Sequence, residues 1–319
     1  MITSIGTDLQ KAVELLLVEE LVAIPTETVY GLAGNALSEK AVSKIYAAKN
    51  RPSFNPLILH VKNIEEINRY AEADIHSLII AKILMPGPIT ILLPKKNTVP
   101  DITTAGSKKV AIRIPNHPLT ISLLEQIDFP LAAPSANPSG YISPTIASHV
   151  YDGLNGKIEY ILDGGPTSVG LESTICEVMG DHIILHRAGG ISAAQLTDLT
   201  GLDVKQETQL STPQTPGQLK SHYAPNTPLF RGNIEQLLRE HAGKKIAIIS
   251  LTNNFMGDNI NCFCLSPKGD LGEAANQLFA TLRLVDAVGY DVILAEHFPN
   301  EGIGLAINDR IGRAQFLHK

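Results

Sequence analysis

Residues 25–61 read PTETVYGLAGNALSEKAVSKIYAAKNRPSFNPLILHV, and this stretch decides how the rest of the chain is understood. The apolar run 21–24 ahead of it predicts a buried strand that stops at Pro25. Residues 25–34 then read as a polar, glycine-punctuated turn, where small residues let backbone come close to a ligand. Ser38 is placed to cap a helix whose apolar positions Ala41, Val42, Ile45 and Ala48 recur at helical spacing. Asn50 and Pro52 end that helix, so Lys49 and Arg51 leave together just before a second strand over 57–61. Two cations beside a polar turn suit a multiply charged anion, and arginine grips phosphate oxygens with a two-pronged fork. On these two residues alone the better reading is the carbonyl end of a helix, whose dipole they complement.

Outward from this stretch, Thr7 to Gln10 form a capping-box pattern that predicts a helix running to about residue 20. Asp74 is placed to cap a helix that ends before Pro86-Gly87-Pro88. Strands are expected at 90–93, 110–114 and 131–133, with a short helix over 119–126. A second polar turn, Pro134-Ser-Ala-Asn-Pro-Ser-Gly140, abuts the last of these strands. Residues 157–162 read as a strand, 174–178 and 183–186 as a hairpin around Gly180-Asp181, and Ser192 to Gln195 as another capping box. Strands and helices are mixed rather than strictly alternating. The expected class is therefore α/β, a twisted sheet with parallel and antiparallel pairs and covering helices. Residues 201–228 shift to Thr, Gln, Pro and Ser and read as a linker or lid. Beyond it, two buried strands at 245–250 and 291–295 flank a helix over 271–289, and a last helix begins near Ile307. The expected organisation is a first domain over 1–200, the linker, and a smaller Rossmann-like α/β domain over 229–319.

Composition narrows the possible partners. At 319 residues, with 44% hydrophobic and 18% charged, the chain is of ordinary globular type. Aromatics at 5% and no Trp disfavour stacking platforms for single-stranded nucleic acid, and a net charge of −6 disfavours a broad basic groove. Cys176, Cys262 and Cys264 make neither a disulfide framework nor a four-ligand zinc pattern, which fits a reducing cytoplasm. The apolar runs are too short to span a bilayer. The P-loop, His-Glu-x-x-His and Gly-x-Ser-x-Gly signatures are absent.

Several polar residues nevertheless sit at strand ends: Thr26, Thr28, His60, Arg113, Ser135, Asn137, Ser173 and Arg187. Strand termini on one sheet edge are where α/β ligands collect. Arg113, inside the apolar run 110–115, either faces a ligand or points from an exposed edge, and the sequence allows both. A strand-end histidine such as His60 is more often structural. Glu27, Asp163 and Glu172 suit magnesium, but the better reading for each is a solvated turn carboxylate. Cys262-Phe-Cys264 reads most simply as core or as chance.

The ordered set Pro25-Thr-Glu-Thr-Val-Tyr-Gly31, Lys49-x-Arg51, Asn55-Pro-Leu57, Pro86-Gly-Pro88, Arg113-Ile-Pro115, Pro134-Ser-Ala-Asn137, Ser173-Thr174 and Arg187-x-Gly189 closely resembles the YrdC-like family. Within it, the chain is similar to the long-form threonylcarbamoyl-AMP synthases. Pro216-Gly217 and His222-Tyr-Ala-Pro225 match the motif linking their two domains. The resemblance implies a reaction in which L-threonine, bicarbonate and ATP, with magnesium, give threonylcarbamoyl-AMP and pyrophosphate. A separate tRNA threonylcarbamoyl transferase would then use the adenylate to modify tRNAs reading codons that begin with A. By the same resemblance Lys49, Arg51, Ser135 and Asn137 are the catalytic tetrad around the phosphates. Thr28, His60, Arg113 and Ser173 fall on threonine-binding positions, and Asn55, Ser143, Arg187 and Tyr223 on nucleotide contacts. Lys109 aligns by spacing with a further ATP contact and Ala133 with a threonine contact, through backbone. Magnesium would be held mainly by phosphates, and tRNA would be met only indirectly. The alternative is a YrdC-like module that binds double-stranded RNA or tRNA without forming the adenylate. The first reading expects the two polar turns and the dispersed arginines to meet in one cavity, with His222-Tyr223 closing over it.

Overall fold

The computed structural model describes residues 2–206 and 222–315. Pro216-Gly217 and part of the expected linker lie outside them. Among the described residues eleven strands form one mixed sheet. From one edge its order is Ser4–Gly6, Tyr160–Leu162, Val22–Ile24, Gly31–Asn35, Leu131–Ala132 and Ile58–His60. It continues through Lys109–Arg113, Ile89–Pro94, Thr174–Val178, His182–Arg187 and Asp203–Gln206.

Side-chain alternation sorts this sheet into two faces. Ala23, Leu32, Leu59, Ile91, Ile112 and Cys176 point into the main core. That core is closed by the helices Glu39–Lys49, Ile75–Leu84, Ala147–Leu154 and Ala193–Thr200. On the opposite face the helices Leu9–Leu17 and Pro118–Glu125 cover Val22, Ile24, Ala33 and Leu131. They do not reach the neighbouring strands, where Ile58, Leu92, Ala111 and Ile175 form a small cluster of their own. His60 and Arg113 lie two residues further along the same face. This partly uncovered half-face is where the polar residues gather.

Local signals placed several helices correctly. Ser38, Asp74 and Ser192 each accept a hydrogen bond from a backbone N–H three residues on, and Ser192–Gln195 form a complete capping box. The first helix differs: Asp8, not Thr7, is its cap, through the Lys11 N–H, and the helix ends at Leu17. Gly31–Asn35 is a strand rather than the tail of a turn, antiparallel to Val22–Ile24. Its glycines serve close packing. A Cβ on Gly31 would stand 3.2 Å from that of Ala133, and one on Gly34 3.0 Å from Leu21.

The C-terminal domain carries a four-stranded, all-parallel sheet ordered Leu229–Arg231, Val292–Ala295, Ile246–Ser250, Ile260–Cys264. The sequence reading found only the second and third of these, because the outer two are short or half-exposed. Cys262 and Cys264 sit on an edge strand, partly exposed, with Cys262 packed against the apolar cluster around Ile246 and Ile248. The helices Leu271–Val288 and Gly304–Ala314 pack this sheet against Val29, Ile142 and Leu171, loop residues of the N-terminal domain, in a shared apolar core. Polar contacts reinforce the joint. Arg283 donates to the carbonyls of Ile142 at 2.6 Å and His149 at 3.1 Å, and the Tyr141 hydroxyl to Asp286 at 2.7 Å. The two sheets are therefore held by a desolvated interface. No described helix is long and apolar enough to cross a membrane.

Candidate active site

Two polar turns are stitched together by one lysine. At the exit of the helix Glu39–Lys49, Asn50 takes a left-handed conformation (φ 50°), which Asn tolerates better than most residues. The chain reverses there, and Lys49 and Arg51 diverge. The Lys49 ammonium, 1% exposed, donates to the carbonyls of Ser135 and Asn137 in the second polar turn. The Ser139 N–H returns a bond to the Lys49 carbonyl at 2.7 Å. That turn is also pinned to the first by Leu32 N–H to Pro134 O and Ala136 N–H to Tyr30 O, both 2.7 Å. Burial, with Arg51 nearby, holds the Lys49 amine well below its ordinary range. Cations that merely complement a helix dipole stay in water, so these two are not surface groups.

Arg51 donates Nε–H to the Asn55 carbonyl at 3.2 Å and an NH2 hydrogen to the Pro56 carbonyl at 2.9 Å. Among the described residues no carboxylate pairs with it. Burial pulls its pKa down to about 10. Beside it Asn55 is fully buried, yet neither its side-chain oxygen nor its nitrogen has a partner. Buried polar groups are nearly always paired, so such an orphan amide points to a ligand. Asn137 leaves its side-chain oxygen unpaired as well, while its amide nitrogen donates to Tyr141 O at 2.7 Å.

Arg113 projects from that half-face, yet is only 3% exposed, with one prong on Glu27 at 2.6 Å and another on the Thr28 hydroxyl at 3.0 Å. Its Nε has no partner. The edge-strand reading of Arg113 is thereby excluded, and Glu27 and Glu172 are not solvated turn carboxylates: they are 5% and 7% exposed. Each is buried because an arginine neutralises it. Glu172 accepts from Ser143 Oγ at 2.6 Å and from Arg310 Nε at 2.8 Å. Arg187 donates twice to the Ser173 carbonyl, at 3.0 and 2.8 Å, and once to its hydroxyl, which also meets Thr90 Oγ1 at 2.7 Å.

One cavity collects most of these groups. Thr28, Arg51, His60, Arg113, Ala133 and Ser135 line it from the first part of the chain. Ser173, Arg187 and Tyr223, together with Glu172 and His222, complete the wall. Lys49, Asn55, Asn137 and Ser143 stand just behind through the contacts given above. Lys109 does not join them. It begins the strand that Arg113 ends, and its ammonium is committed to Glu177 at 2.6 Å. Sequence reading also passed over Arg310. The available signal was a charge at a core-facing position, between Ile307 and Ala314 on an amphipathic helix.

His222 and Tyr223, at 6% and 1% exposure, close one side of the cavity. Tyr223 holds a left-handed φ of 64°, its ring edge-on to His222 at 4.0 Å and tilted against Phe279 at 5.4 Å. Strained backbone of this kind persists only where packing dictates it.

Burial pushes His60 down to about 3, with Arg113 adding to the effect, and burial likewise pushes His222 to about 3. Both rings are neutral in the folded protein, whereas an unfolded histidine binds a proton below about pH 6.5. Their contribution to stability is complete above that pH and drains away as pH falls toward the folded values. At about pH 5 each histidine is expected to have cost roughly 2 kcal/mol relative to neutral pH. Urea midpoints across this interval should fall less for His60→Gln/His222→Gln than for the unaltered chain. Equal slopes for the two proteins would exclude neutral burial.

Among the described residues no three His, Cys, Asp or Glu side chains are grouped to cage a metal ion.

Two family models match successive parts of the chain. The family described as Telomere recombination (Sua5/YciO/YrdC) matches residues 14–189. The family described as Threonylcarbamoyl-AMP synthase, C-terminal domain, matches residues 191–315. The threonylcarbamoyl-AMP synthase of Pyrococcus abyssi is 39% identical over 312 residues, covering 92% of this chain and 90% of the relative. The Bacillus subtilis threonylcarbamoyl-AMP synthase is 39% identical over 319 residues, covering 95% and 92%. The crystal structure of P. abyssi Sua5 complexed with L-threonine superposes with a TM-score of 0.88 at 36% identity, covering 98% of this chain and 97% of that one.

Proposed function

The chain belongs to the threonylcarbamoyl-AMP synthase family, and from that premise we propose that it makes threonylcarbamoyl-AMP and pyrophosphate from L-threonine, bicarbonate and ATP. The observation that carries the reading is Arg51: a buried guanidinium with no carboxylate partner among the described residues, in one cavity with Arg113 and Arg187. An uncompensated buried cation is costly, and a triphosphate removes that cost.

In the proposed reaction the threonine amine and bicarbonate give a carbamate and water. A carbamate oxygen then bonds to the α-phosphorus of ATP, the bond to the β-phosphate oxygen breaks, and pyrophosphate leaves. This makes the protein a nucleotidyltransferase that needs no covalent nucleophile. Arg113, with its unpaired Nε, would take the threonine carboxylate, and Thr28, His60, Ala133 and Ser173 would shape the space around it. Arg51, Ser135, Asn55 and Asn137 would hold the phosphates. Lys49 fixes the turn that presents Ser135, and Ser143, Arg187 and Tyr223 would bound the nucleotide. Bringing two anions together needs positive groups already in place, which act strongly where water is excluded. Magnesium enters with the ATP. The adenylate would pass to a separate tRNA threonylcarbamoyl transferase in the cytoplasm.

The test is pyrophosphate release from ATP, magnesium and bicarbonate with and without L-threonine. Release that ignores threonine would sink the reading. The wall formed by His222 and Tyr223 suits a lid that keeps water from the carbamate and adenylate. Tyr223→Ala is therefore expected to raise the ratio of pyrophosphate to intact adenylate severalfold, measured by chromatography of the products. An unchanged ratio would assign Tyr223 to packing alone.

A further inference from the structure

The C-terminal helix Gly304–Ala314 sends Arg310 into the wall of the cavity, where it is wholly buried. Its Nε donates to Glu172 at 2.8 Å, one NH2 hydrogen to the Ala188 carbonyl at 3.0 Å, and NH1 to Asp309 at 2.7 Å. The guanidinium also lies over the ring of Tyr223, 5.2 Å from its centroid. Glu172 is the carboxylate lining the cavity, and two of its neighbours are groups assigned above to the nucleotide: Ser143 bonds it, and Tyr223 lies over the same Arg310 guanidinium that it holds. A bare carboxylate there would repel a triphosphate.

We infer that Arg310 is a positioning residue contributed by the C-terminal domain, which cancels the charge of Glu172 and so makes the cavity wall net positive toward ATP. The inference rests on the reading that ATP occupies this cavity. Burial alone would push the Glu172 carboxyl up, but Arg310, Arg187 and the Ser143 hydroxyl outweigh it and hold the group below its usual range. The carboxylate is thus ionised and needs its cation. The N-terminal domain supplies Glu172, from the loop before Thr174–Val178, but not Arg310, so the nucleotide side of the site is electrostatically complete only when both domains are present. Glu172 in turn orients Arg310 beneath Tyr223, which links the charge balance to the closing residue.

The experiment measures binding of magnesium with an ATP analogue whose α–β bridging oxygen is a methylene group, by calorimetry, and of L-threonine separately. Arg310→Met is expected to weaken the analogue roughly 30-fold or more, the usual effect of leaving one member of a buried charge pair. Threonine affinity should change by less than about threefold, because Arg310 touches no group assigned to threonine. Glu172→Gln/Arg310→Met, which removes both charges and keeps the shapes, should recover the analogue affinity to within about fivefold of the unaltered chain. Glu172→Gln alone keeps the Arg310 bond through its amide oxygen and reverses the Ser143 bond, the amide N–H now donating to the hydroxyl, and should bind the analogue as tightly or more tightly. The inference is overturned if Arg310→Met binds the analogue normally, or if threonine and analogue weaken together. It is equally overturned if the double variant is no better than the single, or if Glu172→Gln loses more than about tenfold, which would make Glu172 an ATP contact. An unaltered chain that binds no analogue would overturn the nucleotide reading as well, so the two failures are distinguishable.

Discussion

Arg51→Ala is expected to lower turnover roughly a thousandfold, as loss of a charge-stabilising arginine does in phosphoryl chemistry, while leaving thermal stability unchanged or slightly raised. The two halves of this expectation have one cause. Arg51 is 8% exposed and is held by the Asn55 and Pro56 carbonyls, not by a carboxylate. Desolvating an unbalanced cation costs stability in the unliganded protein, so removing it takes away a penalty along with two hydrogen bonds. The loss would be felt when a triphosphate must be bound. Steady-state pyrophosphate release and a thermal melt on the same preparation check both parts. Near-normal turnover would remove Arg51 from the phosphate site, and a large drop in melting temperature would mean that its carbonyl bonds matter more than its charge.

Arg113→Ala should fail on both counts. Arg113 and Glu27 are a buried pair at 2.6 Å, at 3% and 5% exposure. Deleting the cation strands the carboxylate, at roughly 3–5 kcal/mol of stability. It also removes the group that would receive the threonine carboxylate, for which a rise in threonine KM of roughly a hundredfold is expected. Glu27→Gln/Arg113→Met separates the two effects. With no charge left to strand, it should regain most of the unfolding free energy measured in urea, and none of the threonine affinity. If the double variant restored threonine KM, Arg113 would be a structural residue whose only work is to neutralise Glu27. The contrast with Arg51 is itself diagnostic: two buried arginines in one cavity, one balanced by the protein and one left for a ligand.

Parts of this could be read before any coordinates. Ser38, Asp74 and Ser192 act three residues from where they sit, so the caps and the helices they start are local facts. The buried strands announced themselves as short apolar runs. Thr28, His60, Arg113, Ser173 and Arg187 stood out as polar residues at strand ends, and they do share one cavity. The strand Gly31–Asn35 was hidden because its glycines, which look like turn punctuation, are there for Ala133 and Leu21 to approach. Glu27 and Glu172 looked like turn carboxylates for a similar reason. Their burial depends on Arg113 and Arg310, which lie 86 and 138 residues away along the chain. Lys49 likewise resembled a helix-end cation until its carbonyl partners, Ser135 and Asn137, came from the second turn.

By itself, then, the sequence determined the periodicities, the caps, the mixed α/β class and the family, because each is written in residues close together or in motifs kept in order. Only the tertiary structure decided which charges are balanced and which are left over. Whether a buried ion is tolerated depends on what stands within a few ångströms of it, and those neighbours are brought together by folding rather than by position in the chain.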